Sequence, residues 1–119
     1  MDNIDVYGLV IRARALLAGG HPHQAALLLQ RAKSAEPRKA SIRETLARAL
    51  YNSGQTRRAE EEFAAAVELD PSNDYAHFGL GLCRAKTGNR SAAVGHLKIA
   101  VAMRPEVEAY RDALRRLAG

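Results

Sequence analysis

Three prolines, Pro37, Pro71 and Pro105, stand 34 residues apart, and Gly20, Gly54 and Gly88 keep the same step. A fixed period of this length means that one supersecondary unit is being repeated, and a step of 34 is the length of two antiparallel helices stacked on the next pair. A stack of this kind leaves a long open wall instead of one enclosed cavity. The spacing therefore favours binding over catalysis before any reactive side chain is considered.

Laid on itself, the chain gives units at 6–39, 40–73 and 74–107, then a tail over 108–119. Small residues recur in the first helix of each unit at Ala13, Ala47 and Gly81, and in the second at Ala25, Ala59 and Ala93. Small groups on facing surfaces let helices approach at the close end of their usual spacing. Leu29, Phe63 and Leu97 recur with a small partner three residues on, at Ala32, Ala66 and Ala100, which allows interlocked packing. Each glycine falls just past a first helix, where a left-handed turn is common. Pro22, Thr56 and Asn89 suit a helix start, Pro in the first turn and Thr or Asn as cap. The prolines at 37, 71 and 105 end each second helix, and Asn73 or Ser72 is available to cap the helix after Pro71. The pattern predicts an all-α chain of seven antiparallel helices near 5–18, 22–35, 40–53, 56–69, 74–87, 90–103 and 106–118, with no strand.

A length of 119 residues fits a single domain, and its Ala- and Leu-rich composition favours helix. Cys83 is alone, so no intramolecular disulfide forms and no cysteine-based metal site exists. The acidic start, Met1-Asp2-Asn3-Ile4-Asp5, lacks the basic and apolar regions of a signal peptide, and no apolar run is long enough to cross a bilayer. A reducing cytoplasm, without membrane insertion, is the expected setting. The net charge of +5 is uneven: residues 60–70 hold five acids and no base, while both flanks are basic. That excess suits a solvated Arg-rich surface, or attraction of acidic peptides, nucleic acid or anionic lipid.

The second unit carries Leu46-Ala47, Leu50, Gly54, Ala59, Phe63, Ala66 and Pro71. The third repeats this as Leu80-Gly81, Gly88, Ala93, Leu97, Ala100 and Pro105, and the first as Leu9, Ala13, Leu16, Gly20, Ala25, Leu29, Ala32 and Pro37. In these columns the chain resembles a tetratricopeptide repeat protein, an α-α superhelix of three repeats closed by a terminal capping helix. Some positions depart. Arg12 stands where the other units have Leu46 and Leu80, as an N-terminal repeat with one neighbour allows. Leu9, Arg43 and His77 replace a large aromatic frequent in the family. Arg84 takes the column of Leu16 and Leu50, and is expected to lay its stem along the last helix with its guanidinium in solvent or beside Asp112. The tail places Ala109, Ala113, Leu114, Leu117 and Ala118 on an apolar side, fitting a helix that covers the third repeat.

The resemblance implies that the first helix of each repeat lines a concave peptide-binding groove. Carried over by position, the lining is Tyr7, Val10, Arg14 and Leu17 from the first unit and Glu44, Arg48, Tyr51 and Asn52 from the second. The third supplies Tyr75, Phe78, Leu82 and Lys86, and the tail supplies Arg116 and, less directly, Asp112. Aromatics and arginines are the residue types that most often carry interface energy. Many family members clamp a partner's terminal carboxylate with Lys, Asn and Arg. Here those places hold Val10, Arg14, Thr45, Tyr75 and Gly79, with one basic residue left, so a mixed apolar and acidic segment fits better.

His21-Pro22-His23 lacks a third ligand and is read as turn residues; His77 and His96 stand alone in sequence. Glu60-Glu61-Glu62 reads as a solvated face near a helix start. Cys83 falls among apolar neighbours, as a buried, unreactive thiol. No paired carboxylates, nucleophile–base set, phosphate-cradling glycine loop or metal-ligand set stands in convincing placement, so neither an enzyme nor a cofactor or metal is expected. The leading expectation is a non-catalytic adaptor or co-chaperone-like module that binds a peptide or helix of a partner protein. A self-assembling scaffold, with homo-oligomers stacked through the array ends, is the alternative. Nucleic-acid binding is third, since helical repeats that read RNA carry a different signature.

Overall fold

The computed structural model describes residues 5–118; Met1–Ile4 and Gly119, which fall within the expected 1–119 domain, lie outside the described residues. Seven helices follow one another among the described residues: α1 (Val6–Ala18), α2 (Pro22–Ala35), α3 (Ala40–Asn52), α4 (Thr56–Leu69), α5 (Asp74–Lys86), α6 (Arg90–Met103) and α7 (Glu108–Ala118). Each packs on the next, and α1, α3, α5 and α7 also touch in series, giving an elongated body of 53 × 25 × 25 Å.

The turns show why the period is kept. Gly20, Gly54 and Gly88 have φ of 82°, 84° and 93°, a region costly to any residue bearing a Cβ. In each turn two backbone bonds tie off the helix end. At the first, the His21 N–H donates to the Leu16 carbonyl (2.8 Å) and the Gly20 N–H to Leu17 (3.1 Å). Pro22 opens α2 at its first turn, and the Asn89 carboxamide caps α6 by accepting from the Ala92 N–H at 3.1 Å. Thr56 is the first residue of α4 and not its cap, which is Gln55 without a side-chain bond. Asn73 caps α5 by accepting from the Ala76 N–H at 2.9 Å, while Ser72 gives its hydroxyl to Asp70.

The small-residue columns form the seam of the core. Ala13, Ala47, Ala25, Ala59 and Ala93 are fully buried, as are Leu29 and Leu97 beside Phe63. Over Gly79 the Phe63 ring takes the space of a side chain: a Cβ there would come within 2.6 Å of ring carbon Cε2 and closer still to Cζ and Cε1. Arg12 is exposed where Leu46 and Leu80 are buried, since no helix precedes α1 among the described residues. In α7, Arg111 and Arg115 lie 34 residues beyond His77 and Gly81, on the side that α5 turns to its own second helix. With no such partner for α7 among the described residues, that side is arginine and exposed, while Tyr110 and Ala113 face inward.

Two expectations are overturned here. Glu60-Glu61-Glu62 is not a solvated face. Glu62 is buried and accepts from Lys33 Nζ of α2 (2.6 Å) and Arg43 Nη1 of α3 (3.0 Å), joining three helices. Glu60 accepts from Arg84 Nε at 2.7 Å, so Arg84 reaches back to α4 instead of toward α7 and Asp112. A cation on the seam is stabilised by the carboxylate within reach, and only Glu61 of the three is exposed.

His77 and His96, solitary in sequence, also meet, with stacked rings and Nδ1 atoms 3.3 Å apart. His77 Nε2 lies 2.9 Å from the Pro71 carbonyl, the place that Arg43 Nε takes on Pro37 one repeat earlier. Two columns are therefore paired throughout. Leu28 packs on the cluster containing Leu9, Arg43 binds Glu62, and His77 meets His96, each pair 34 residues beyond the last. Burial, then His77 and Arg84, hold the His96 pKa below its usual value. Cys83 is buried and its pKa is pushed up to about 12, chiefly by burial, as expected of an unreactive thiol.

Candidate functional site

The expected groove residues fall on α1, α3, α5 and α7, the four helices in serial contact. Their central portion is a chain of aromatic and cationic contacts. The Arg48 guanidinium of α3 sits over the Tyr75 ring of α5 at 5.3 Å from its centroid, and Lys86 Nζ of α5 over Tyr51 of α3 at 4.5 Å. Tyr75 meets Phe78 edge-on at 5.7 Å, and Phe78 meets Tyr110 of α7 at 4.7 Å. Tyr75 also lies 6.3 Å from Phe63, which anchors the wall in the core. Tyr51, Tyr75 and Phe78 are half-buried, so they present fixed surfaces at little further cost in side-chain entropy, whereas Phe63 and Tyr110 are buried.

Glu44 stands among cations on the same wall. Burial raises its pKa, and the nearby Arg48 and Arg14 pull it back. Burial likewise raises the Tyr75 pKa, while Arg48 opposes it. The wall therefore offers both hydrogen-bonding signs beside aromatic area.

At the N-terminal end, Val6, Tyr7, Val10, Ile11 and Ile42 line a recess of about 230 Å³ with Arg14, Lys39, Glu36 and Ser41 on its walls. Tyr7 is 77% exposed there, a large ring with most of its surface in water. Leu17 and Val10 pack partly on the core, and Leu82 is half-buried. Asn52 and Arg116 are exposed and outside the aromatic series. Asp112 pairs with Arg115 on its own helix.

Tyr110 was missing from the expected lining. It is buried, and its hydroxyl donates to Asp74 Oδ2 at 2.6 Å, which ties α7 to the start of α5. Burial and then the bond to Asp74 raise its pKa. The signal was present in the register: 110 continues the column of Ile42 and Ala76, both buried.

Two positions of the carboxylate clamp are unavailable. Thr45 is buried and donates to the Ser41 carbonyl at 2.7 Å, and Gly79 lies beneath Phe63.

Stacked helical hairpins with a closing helix and an open wall define a helical-repeat solenoid. A family model for the tetratricopeptide repeat matches residues 44–108, and the chain belongs to the tetratricopeptide repeat family, with three repeats and a capping helix. No curated protein matches the sequence significantly. Among solved structures, the first tetratricopeptide domain of Spaghetti (RPAP3), bound to the HSP90 peptide SRMEEVD, superposes with a TM-score of 0.90 at 18% identity. That likeness covers 99% of this chain and 94% of that one. The Arabidopsis OM64 domain gives 0.90 at 19% identity, over 94% of this chain and 93% of that one. YrrB, described as having an unusual peptide-binding site, gives 0.85 at 26%, over 97% of this chain and 58% of that one. No helix among the described residues is long and apolar enough to cross a membrane.

Proposed function

We propose that this chain is a non-catalytic interaction module whose first-helix wall holds a peptide or helix of a partner protein. The observation that carries the reading is the series from Arg48 through Tyr75 and Phe78 to Tyr110, aromatic and cationic contacts that cross three helices. Fixed aromatics beside arginine are the composition of interface hot spots. Family membership supports a protein partner, and a relative of the same fold holds a peptide.

The recognition differs from a terminal-carboxylate clamp. Thr45 and Gly79 cannot supply cations, and the charged groups along the wall include three cations, Arg14, Arg48 and Lys86, and one carboxylate, Glu44. A segment with apolar side chains for the Tyr7–Ile42 recess and the aromatic series, and carboxylates for the arginines, suits that wall. Peptides selected from a displayed random library test the reading. Tyr51→Ala with Phe78→Ala lowers their affinity at least tenfold, about 1.4 kcal/mol, while far-ultraviolet circular dichroism keeps its helical signal. Selected peptides that bind the variant as tightly as the natural chain would move the site off this wall.

A further inference from the structure

Antiparallel hairpins stacked in one orientation bring like turns to one edge. The connections α1–α2, α3–α4 and α5–α6 share such an edge, and α7 ends there, where the Arg90 guanidinium donates to the Leu117 carbonyl. Along segments 18–23, 53–58, 86–91 and 114–118 this edge carries Arg57, Arg58, Lys86, Arg90, Arg115 and Arg116 and no Asp or Glu. The opposite turns, over 34–41, 68–75 and 102–109, hold six acids against Arg38, Lys39 and Arg104. The net charge of the chain is thus concentrated on one side.

At the middle of the basic edge lies an open recess of about 720 Å³, lined by Gly54, Gln55, Thr56, Arg57, Arg58, Lys86 and Thr87. Arg57 and Arg58 are exposed, and no ion pair among the described residues uses either of them or Lys86. Arg58 donates to the Gln55 carboxamide oxygen at 2.6 Å. Glu60 of α4 is already taken by Arg84 and Thr87, and Glu61, exposed, stands four residues on from Arg57 and three on from Arg58. Lys86 belongs to both surfaces, lining the recess while its ammonium lies over Tyr51 on the first-helix wall.

We infer that this recess is a second binding site, for an acidic run of the partner protein that continues out of the first-helix wall past Lys86. The inference rests on the peptide-binding reading for the continuity of the two surfaces, but the edge binds carboxylates by its own charge. An acidic polypeptide is favoured over single-stranded nucleic acid because the recess holds no aromatic ring, and stacking platforms are what hold bases.

The test uses fluorescein-labelled octaglutamate, read by anisotropy at low ionic strength. Octaglutamate binds the natural chain and is released as salt rises, since exposed charges more than about 8 Å apart are largely screened at physiological ionic strength. Arg57→Glu with Arg58→Glu weakens it roughly tenfold, and acids in the first turn suit the α4 dipole, so the helical signal holds. Phe78→Ala alone, whose ring packs on Tyr75 and Tyr110 and does not line the recess, leaves octaglutamate binding intact while weakening library-selected peptides, so failure of the edge and failure of the wall read out separately. Equal binding by the Arg57/Arg58 variant, or no binding by the natural chain, overturns the inference. Tighter binding of a mixed single-stranded oligonucleotide than of octaglutamate, lost in the same variant, reassigns the edge to nucleic acid and also overturns it.

Discussion

Glu62→Gln isolates the buried network that joins the first two repeats. The Glu62 carboxylate serves Lys33 at 2.6 Å and Arg43 at 3.0 Å, and the two cations keep only 22% and 23% of their side-chain surface in water. Breaking a fully buried pair costs about 3–5 kcal/mol, whereas an exposed pair contributes about 0–1 kcal/mol. These cations retain a path to solvent, so the substitution should cost about 2 kcal/mol, an intermediate value. For a domain of this size that lowers Tm by roughly 6–10 °C. The repeat supplies its own control. The columns of Arg43, Glu62 and Lys33 hold Leu9, Leu28 and Val67 in neighbouring units. Lys33→Val, Arg43→Leu and Glu62→Leu together replace the charges by side chains those columns already accommodate, and the triple variant should lie within about 1 kcal/mol of the natural chain. Urea denaturation followed by circular dichroism measures all three proteins. A Glu62→Gln cost below about 0.5 kcal/mol, or a triple variant no more stable than the single one, would refute the account of Glu62 as a desolvated acceptor.

Gly79→Ala drives a methyl into the Phe63 ring, and a urea midpoint lower by the equivalent of about 1–3 kcal/mol is expected; an unchanged midpoint would show the ring free to move. Tyr110→Phe removes the bond to Asp74 and should cost about 1 kcal/mol, with faster amide hydrogen exchange concentrated in α7. The His96 pKa is lowered on folding, so below about 6.5 the unfolded chain takes up the proton first and stability falls as pH drops toward the folded value. His96→Leu should flatten that slope, and a slope unchanged in the variant would place the titration elsewhere. Glu44 has a raised pKa, which means its charge costs stability once pH exceeds the folded value; Glu44→Gln should leave the midpoint at pH 7 unchanged or higher.

Much of this architecture was readable in one dimension. The glycines at 20, 54 and 88 require a backbone conformation that few other residues tolerate, and the prolines interrupt helices wherever they fall, so both act locally. The small columns at Ala13, Ala25 and their repeats needed only the period to be placed in the seam. Even the burial of Tyr110 was implicit in its register with Ile42 and Ala76. What the residues could not disclose was which polar side chains would choose one another. Glu62 reads as a solvated acid until α2 and α3 bring Lys33 and Arg43 to it, and His77 and His96 are unrelated until α5 lies beside α6. Nor does local chemistry decide whether Arg84 turns toward α4 or α7. Backbone preferences act between neighbours along the chain, whereas pairing of charges depends on distances that exist only once the hairpins have stacked.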